Sequence, residues 1–187
     1  MKVIFLDNDG VVCLSTEWGG REKKKLKYLS SFPNTENIPA WVKMDNFNEK
    51  AVKILNSILE ETGAEIVVSS DWKLYCTLEE LQEMFDKYGV IKSPIDTTPN
   101  IELKYDKNYY TKEELASYRV TEIKQWLNKH PEVTHWVAVD DLPLGEKFGA
   151  ISGNSNGGLT NFVLTPKSSE GIKQSGIKEK IIKFLND

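Results

Sequence analysis

The chain has 187 residues, 40% of them hydrophobic and 28% charged, and a formal net charge of −4. That balance suits one globular domain with insertions and argues against both a disordered chain and a basic nucleic-acid coat. Its two cysteines, Cys13 and Cys76, form neither a disulfide framework nor a zinc spacing, so a reducing compartment fits.

In chain order the first element is Val3 to Leu6, a continuous apolar run that stops at Asp7, as a strand buried on both faces does. The apolar stretch before Asp7 is too short for a signal segment or a membrane span, so a cytoplasmic protein with no membrane association is expected. Residues from about 12 to 46 carry Gly19-Gly20, a basic run of Arg21, Lys23, Lys24, Lys25 and Lys27, and two prolines, and they read as an insertion over the sheet edge. Asn48 to Glu61 puts Val52, Leu55 and Leu59 on one helical face, with Gly63 as the stop. Ile66-Val67-Val68 is a second strand, ended by Ser69-Ser70-Asp71. Thr77-Leu78-Glu79-Glu80 is a capping box opening a helix with Leu78, Leu81, Phe85 and Tyr88 inward.

Residues from about 96 to 117 are polar and tyrosine-rich, and read as a second insertion with a short helix at Thr111 to Glu114. Val120, Ile123 and Leu127 mark a further helix closed by Pro131. Trp136 to Val139 is a third strand that stops at Asp140-Asp141, and Asn161 to Thr165 a fourth. Ile177, Ile181 and Leu185 mark the last helix. Strands alternating with helices predict an α/β fold with a mainly parallel sheet, in one domain over residues 1–187.

In such sheets ligands bind beyond the carboxyl ends of the strands. Asp7 and Asp9, then Ser69, Ser70 and Asp71, then Asp140 and Asp141 are expected there. Neighbouring carboxylates repel unless a cation is present, and with no His or Cys cluster beside them the expected ion is a hard one, Mg2+. If the first strand continues to Asp9, Asp7 and Asp9 leave it on the same side, and Gly10 turns the chain away. One carboxylate then serves as nucleophile and the other handles protons, as phosphoryl transfer requires. The Ser69 hydroxyl and backbone N–H groups around Asn8 and Ser70 are donors for a phosphate.

Each motif alone has a plainer reading. Asp9-Gly10 is a common turn, Ser69-Ser70-Asp71 a helix cap, and Asp140-Asp141 a loop start. A calcium loop beginning at Asp7 fails, because Val12 and Trp18 stand where Gly and Glu are needed. The three motifs in this order, each after a buried strand, favour catalysis. The alternative is a phosphate-binding or phospho-acceptor module without turnover.

FLDNDGVV, IVVSS and VAVDD, with YRVTEIKQWL between the last two, resemble the ordered motifs of the haloacid dehalogenase superfamily of aspartate-nucleophile phosphatases. SSDWK and EIKQWL are especially similar to a small subgroup associated with RNA-repair proteins. The resemblance implies a three-layer Rossmann-like sheet with helices on both faces and only small cap insertions. It also implies a magnesium-dependent phosphomonoesterase working through an aspartyl-phosphate. Asp7 would be the nucleophile and Asp9 the general acid/base, with its backbone carbonyl on the metal. Asp7 and Asp140 would be carboxylate ligands, and Asp141 a direct or water-mediated one.

The basic run lies between Trp18 and Tyr28, a pairing of charge with aromatic surface that suits a nucleotide or nucleic-acid end phosphate. A solvated loop is the alternative, with a small metabolite or a phosphoprotein as substrate; no obligate protein partner is evident. For the basic residue that holds the phosphate, Arg119 and Lys124 compete. On one helix they diverge by about 140°. The helix before the Asp140 strand presents its N-terminus to the acids, so Arg119 is expected at that end, aided by the helix dipole.

Overall fold

The structure is a computed structural model and describes residues 1–14, 38, 40–44, 46–104, 109–145 and 157–187. The basic run from Arg21 to Lys27, with Trp18 and Tyr28, lies outside the described residues. Strands β1 (Lys2–Leu6), β2 (Glu65–Val68), β3 (Asp96–Thr97), β4 (His135–Asp140) and β5 (Phe162–Leu164) form one parallel sheet in the order β3-β2-β1-β4-β5. The helices are α1 (Glu49–Thr62), α2 (Leu78–Lys87), α3 (Lys112–Lys129) and α4 (Ile177–Asn186), beside a single helical turn at Ala40–Lys43. This is the Rossmann-like α/β architecture that the alternating pattern predicts. Among the described residues no helix is long and apolar enough to cross a membrane.

Strand periodicity sorts the core onto two faces. Ile4 and Leu6 of β1 point to one side, with Ile66, Val68, Val137 and Val139, and meet α1, α2 and α4 there. Val3 and Phe5 point to the other, with Val67 and Ala138, where they meet Ala116, Val120, Ile123 and Trp126 of α3. Phe5 packs edge-on against both Trp126 and Trp136.

Local chemistry sets the helix ends. The Asn48 side chain accepts from the Lys50 and Ala51 N–H groups, and Gly63 closes α1 in the left-handed conformation at φ 69°. Thr77 and Glu80 make the expected capping box of α2, although Leu78 is only half-buried and Met84 takes an inward place.

The start of the next helix differs from expectation. A second capping box, Thr111 with Glu114, opens one continuous helix at Lys112, so Arg119 is its eighth residue and stands well inside it. The short helix at Thr111 to Glu114 and the later one are the same element. Nearby, Asp96–Thr97 supplies an edge strand for which its polar sequence gives no signal.

Candidate active site

The sheet register aligns one residue just beyond, or at, the end of each strand. Leu6 pairs with Val68 and Val139, so Asp7, Ser69 and Asp140 stand side by side. Main-chain bonds extend the row: Ser69 N donates to Leu6 O, Asp7 N to Val139 O, Thr98 N to Val68 O and Thr165 N to Asp140 O, at 2.9, 3.0, 3.0 and 2.9 Å. The row therefore reads Thr98, Ser69, Asp7, Asp140, Thr165, all buried.

β1 ends at Leu6, so Asp9 is not carried on a strand. The carbonyl of Asn8 accepts from the N–H groups of Val11, Val12 and Cys13, folding the chain into a tight turn. Gly10 sits in that turn at φ 73°, where a Cβ would lie 2.5 Å from the Asp141 carboxylate. Only glycine meets both the backbone angle and the close approach. The turn hands the Asp9 carboxylate to Trp72, whose indole N–H donates to Asp9 Oδ2 at 2.8 Å.

Asp7, Asp140 and Asp141 each offer a carboxylate oxygen, and these oxygens lie within 4.8 Å of one another. The Asp9 carboxylate is not among them. Burial, followed by the charge of Asp140, holds the Asp7 carboxyl well above its usual range, with Arg119 and a hydrogen bond from Ser70 opposing. Asp140 is likewise pushed up to about 6, by burial above all, and Arg119 offsets this only in part. Asp141 is steadied by the Ser168 hydroxyl, which donates to its Oδ2 at 3.0 Å. Three crowded carboxylates, of which the buried Asp7 and Asp140 resist ionisation, suit a hard divalent cation, so the residues fit magnesium.

Arg119 reaches this cluster from the middle of α3. Its Nη1 lies 3.2 Å from Asp7 Oδ1 and 2.9 Å from Asp140 Oδ2, its Nη2 lies 2.8 Å from Asp71 Oδ1, and Nη1 also donates to the Ser69 carbonyl. Burial works against the guanidinium charge, but the carboxylates of Asp140, Asp7 and Asp71 raise its pKa, so it stays protonated. The dipole of the helix N-terminus plays no part at this depth, because its effect is confined to the first turn. Lys124 donates from an exposed position to the Gly157 carbonyl at 3.0 Å.

The side chains of Ser69, Asn8 and Ser70, expected near the phosphate, differ in setting. The Ser69 hydroxyl is buried with no hydrogen-bond partner among the described residues, and so are both polar atoms of the Asn8 carboxamide. The Ser70 side chain accepts from the Trp72 N–H and caps a short 3-10 segment, Asp71–Leu74.

Several neighbours escaped the sequence reading. Lys73 Nζ lies 2.5 Å from Glu122 Oε2, both side chains nearly inaccessible, and also donates to Thr98 Oγ1 at 2.8 Å. Glu122 Oε1 in turn accepts from the Ile101 N–H. SSDWK contains three of these contributors, Asp71, Trp72 and Lys73, but their partners lie from 25 to 63 residues away.

A family model described as the HAD domain in Swiss Army Knife RNA repair proteins matches residues 3–175. No curated protein and no solved structure matches the chain.

Proposed function

Because this chain belongs to the HAD domain family of Swiss Army Knife RNA repair proteins, we propose that it is a magnesium-dependent phosphomonoesterase with Asp7 as nucleophile. The observation that carries this reading is the convergence of Asp7, Asp140 and Asp141 oxygens within 4.8 Å, at the carboxyl ends of adjacent parallel strands. Asp7, Asp140 and Asp141, with the backbone carbonyl of Asp9, would hold the magnesium ion, which supplies positive charge to the phosphoryl oxygens.

An Asp7 oxygen forms a bond to phosphorus as the bond to the leaving oxygen breaks, and Asp9 gives that oxygen a proton. Asp9 then takes a proton from water, the water oxygen attacks phosphorus, and Asp7 returns as a carboxylate. Trp72 orients Asp9 for both transfers through its 2.8 Å bond. The orphaned Ser69 hydroxyl is a donor for a phosphoryl oxygen, and Arg119 neutralises charge around Asp7. Nucleotides and nucleic-acid end phosphates are the first substrates to try, from the family's description and the basic run Arg21 to Lys27.

The test is hydrolysis of an aryl phosphate by Asp7→Asn and Asp9→Asn. The first abolishes turnover, and the second slows it by about 10² to 10⁴. Acid quenching of the wild type traps labelled phosphate on protein, and Asp7→Asn traps none. Near-normal turnover by Asp7→Asn would refute the covalent step.

A further inference from the structure

Beside the acidic cluster lies a cleft of about 660 Å³ whose walls include Asp9 and Arg119. That volume falls within the range of sites that enclose a small organic ligand, about 300–1,000 Å³. Asp9 faces it, and under the reading above Asp9 protonates the leaving oxygen. The group attached to that oxygen therefore lies in the cleft.

The lining says what that group is. On one wall the 3-10 segment ends in Leu74, followed by Tyr75, which are 48% and 65% exposed although both are large and apolar. Leu103, Leu115 and Tyr118 line the same cleft. Tyr118 is steadied by an edge-on contact with Tyr110 at 5.6 Å. Tyrosine rings are stacking surface that accepts any planar ring, and leucines pack against a ring's face.

The charges of the cleft point the same way. Among its described lining residues the cations are Lys73 and Arg119, each committed to carboxylates: Lys73 to Glu122, and Arg119 to Asp7, Asp71 and Asp140. Among the described lining residues three carboxylates, Asp9, Asp71 and Glu122, stand against these two cations. A second phosphate in the cleft would meet no uncommitted cation among the described lining residues. An uncharged ring meets apolar wall.

We infer that the cleft lined by Leu74, Tyr75 and Tyr118 binds an uncharged planar ring on the leaving group, so that the enzyme selects phosphomonoesters of ring-bearing alcohols over those of small polar ones. This rests on the phosphatase reading and adds the substrate class to it. A nucleobase and a plain aryl group share the chemistry, and the substrates of the test separate them.

The experiment measures kcat/KM of the full chain with magnesium for phenyl phosphate, a nucleoside monophosphate, a nucleoside diphosphate and glycerol phosphate. Wild type is expected to prefer the two ring-bearing monoesters over glycerol phosphate, and to disfavour the diphosphate. Tyr75→Ala then lowers kcat/KM for the ring-bearing monoesters about 5- to 150-fold more than for glycerol phosphate, the scale of one stacking contact. Tyr75→Phe retains the preference. Because Tyr75 is mostly exposed, the substitution leaves the core intact. A nucleoside monophosphate exceeding phenyl phosphate identifies the ring as a base, and equal values identify it as any aryl group. Asp7-dependent turnover with no preference for rings, or with equal losses on all substrates, overturns the cleft assignment alone. Turnover that survives Asp7→Asn overturns the phosphatase reading beneath it.

Discussion

Helices α1 and α3 pack on opposite faces of one sheet, yet their inward residues differ in kind. α1 buries Ala51, Val52, Leu55, Ile58 and Leu59. α3 buries Arg119 and Glu122 among Ala116, Val120, Ile123 and Trp126. The first face gains stability from apolar area, its buried polar side chain Thr62 bonding the Ile58 carbonyl of its own helix. The second places two charged groups where apolar ones would be worth more, and each is held by partners: Arg119 by Asp7, Asp71 and Asp140, Glu122 by Lys73. A buried ion pair is a poor source of stability compared with well-packed hydrophobic residues, so charges kept on this face argue for chemistry there.

The sharpest break of this comparison is Arg119→Ala. Loss of the cation beside Asp7 is expected to lower kcat by about 10² to 10³, the scale of removing one electrostatic stabiliser, with Arg119→Lys restoring part of it. Lys124→Ala, on the same helix but bonded to Gly157 at the surface, should change kcat little. If Lys124→Ala were the crippling variant, the assignment of Arg119 to the site would be wrong.

Stability should separate the two faces more finely. Leu55→Ala opens a cavity in the fully buried interior and costs about 2–5 kcal/mol, while the folded fraction keeps its kcat. Glu122→Ala costs about 3–5 kcal/mol, because it strands a buried ammonium, and it also lowers kcat by releasing Lys73 and the Ile101 backbone beside Arg119. Urea melts paired with active-site titration read both quantities. Equal kcat values for the two variants would erase the distinction between the faces.

The smallest effect concerns metal and pH. Asp140 titrates near 6 when folded, above its ordinary 3.8, so the metal-free folded protein binds protons more tightly than the unfolded chain. Its contribution is fully present below about pH 4 and is lost as pH rises through 6. Magnesium binding only the folded state offsets that loss and is expected to raise Tm by about 5–10 °C at a hundredfold excess over Kd, more at pH 8 than at pH 5. Asp140→Asn should shrink the rise. A shift that is equal at both pH values would show that the ion binds away from Asp140.

The same contrast explains what could be read in advance. Buried strands β1, β2 and β4 announce themselves as apolar runs, and the polar residues ending them, Asp7, Ser69 and Asp140, stand side by side at the candidate site. The hydrophobic stripe of α1 is equally plain. α3 is harder to read because its inward positions include Ala116, Arg119 and Glu122, which break the apolar period by which a helix is recognised. Asp96–Thr97 is too short and polar to register as a strand, and its place is set by bonds to β2. Trp72 carries no local sign that its indole will meet Asp9, 63 residues earlier in the chain.

The row Thr98, Ser69, Asp7, Asp140, Thr165 works as a ruler. Its graduations are main-chain bonds between adjacent strands, spaced about 4.8 Å apart, and no side chain can stretch them. Sequence behind the row is free to drift so long as the strands pair, since the pitch belongs to the backbone. Reach is what cannot drift: a glutamate at position 7 would carry the same charge one carbon–carbon bond too far, past a fixed mark, with no neighbouring strand able to step back.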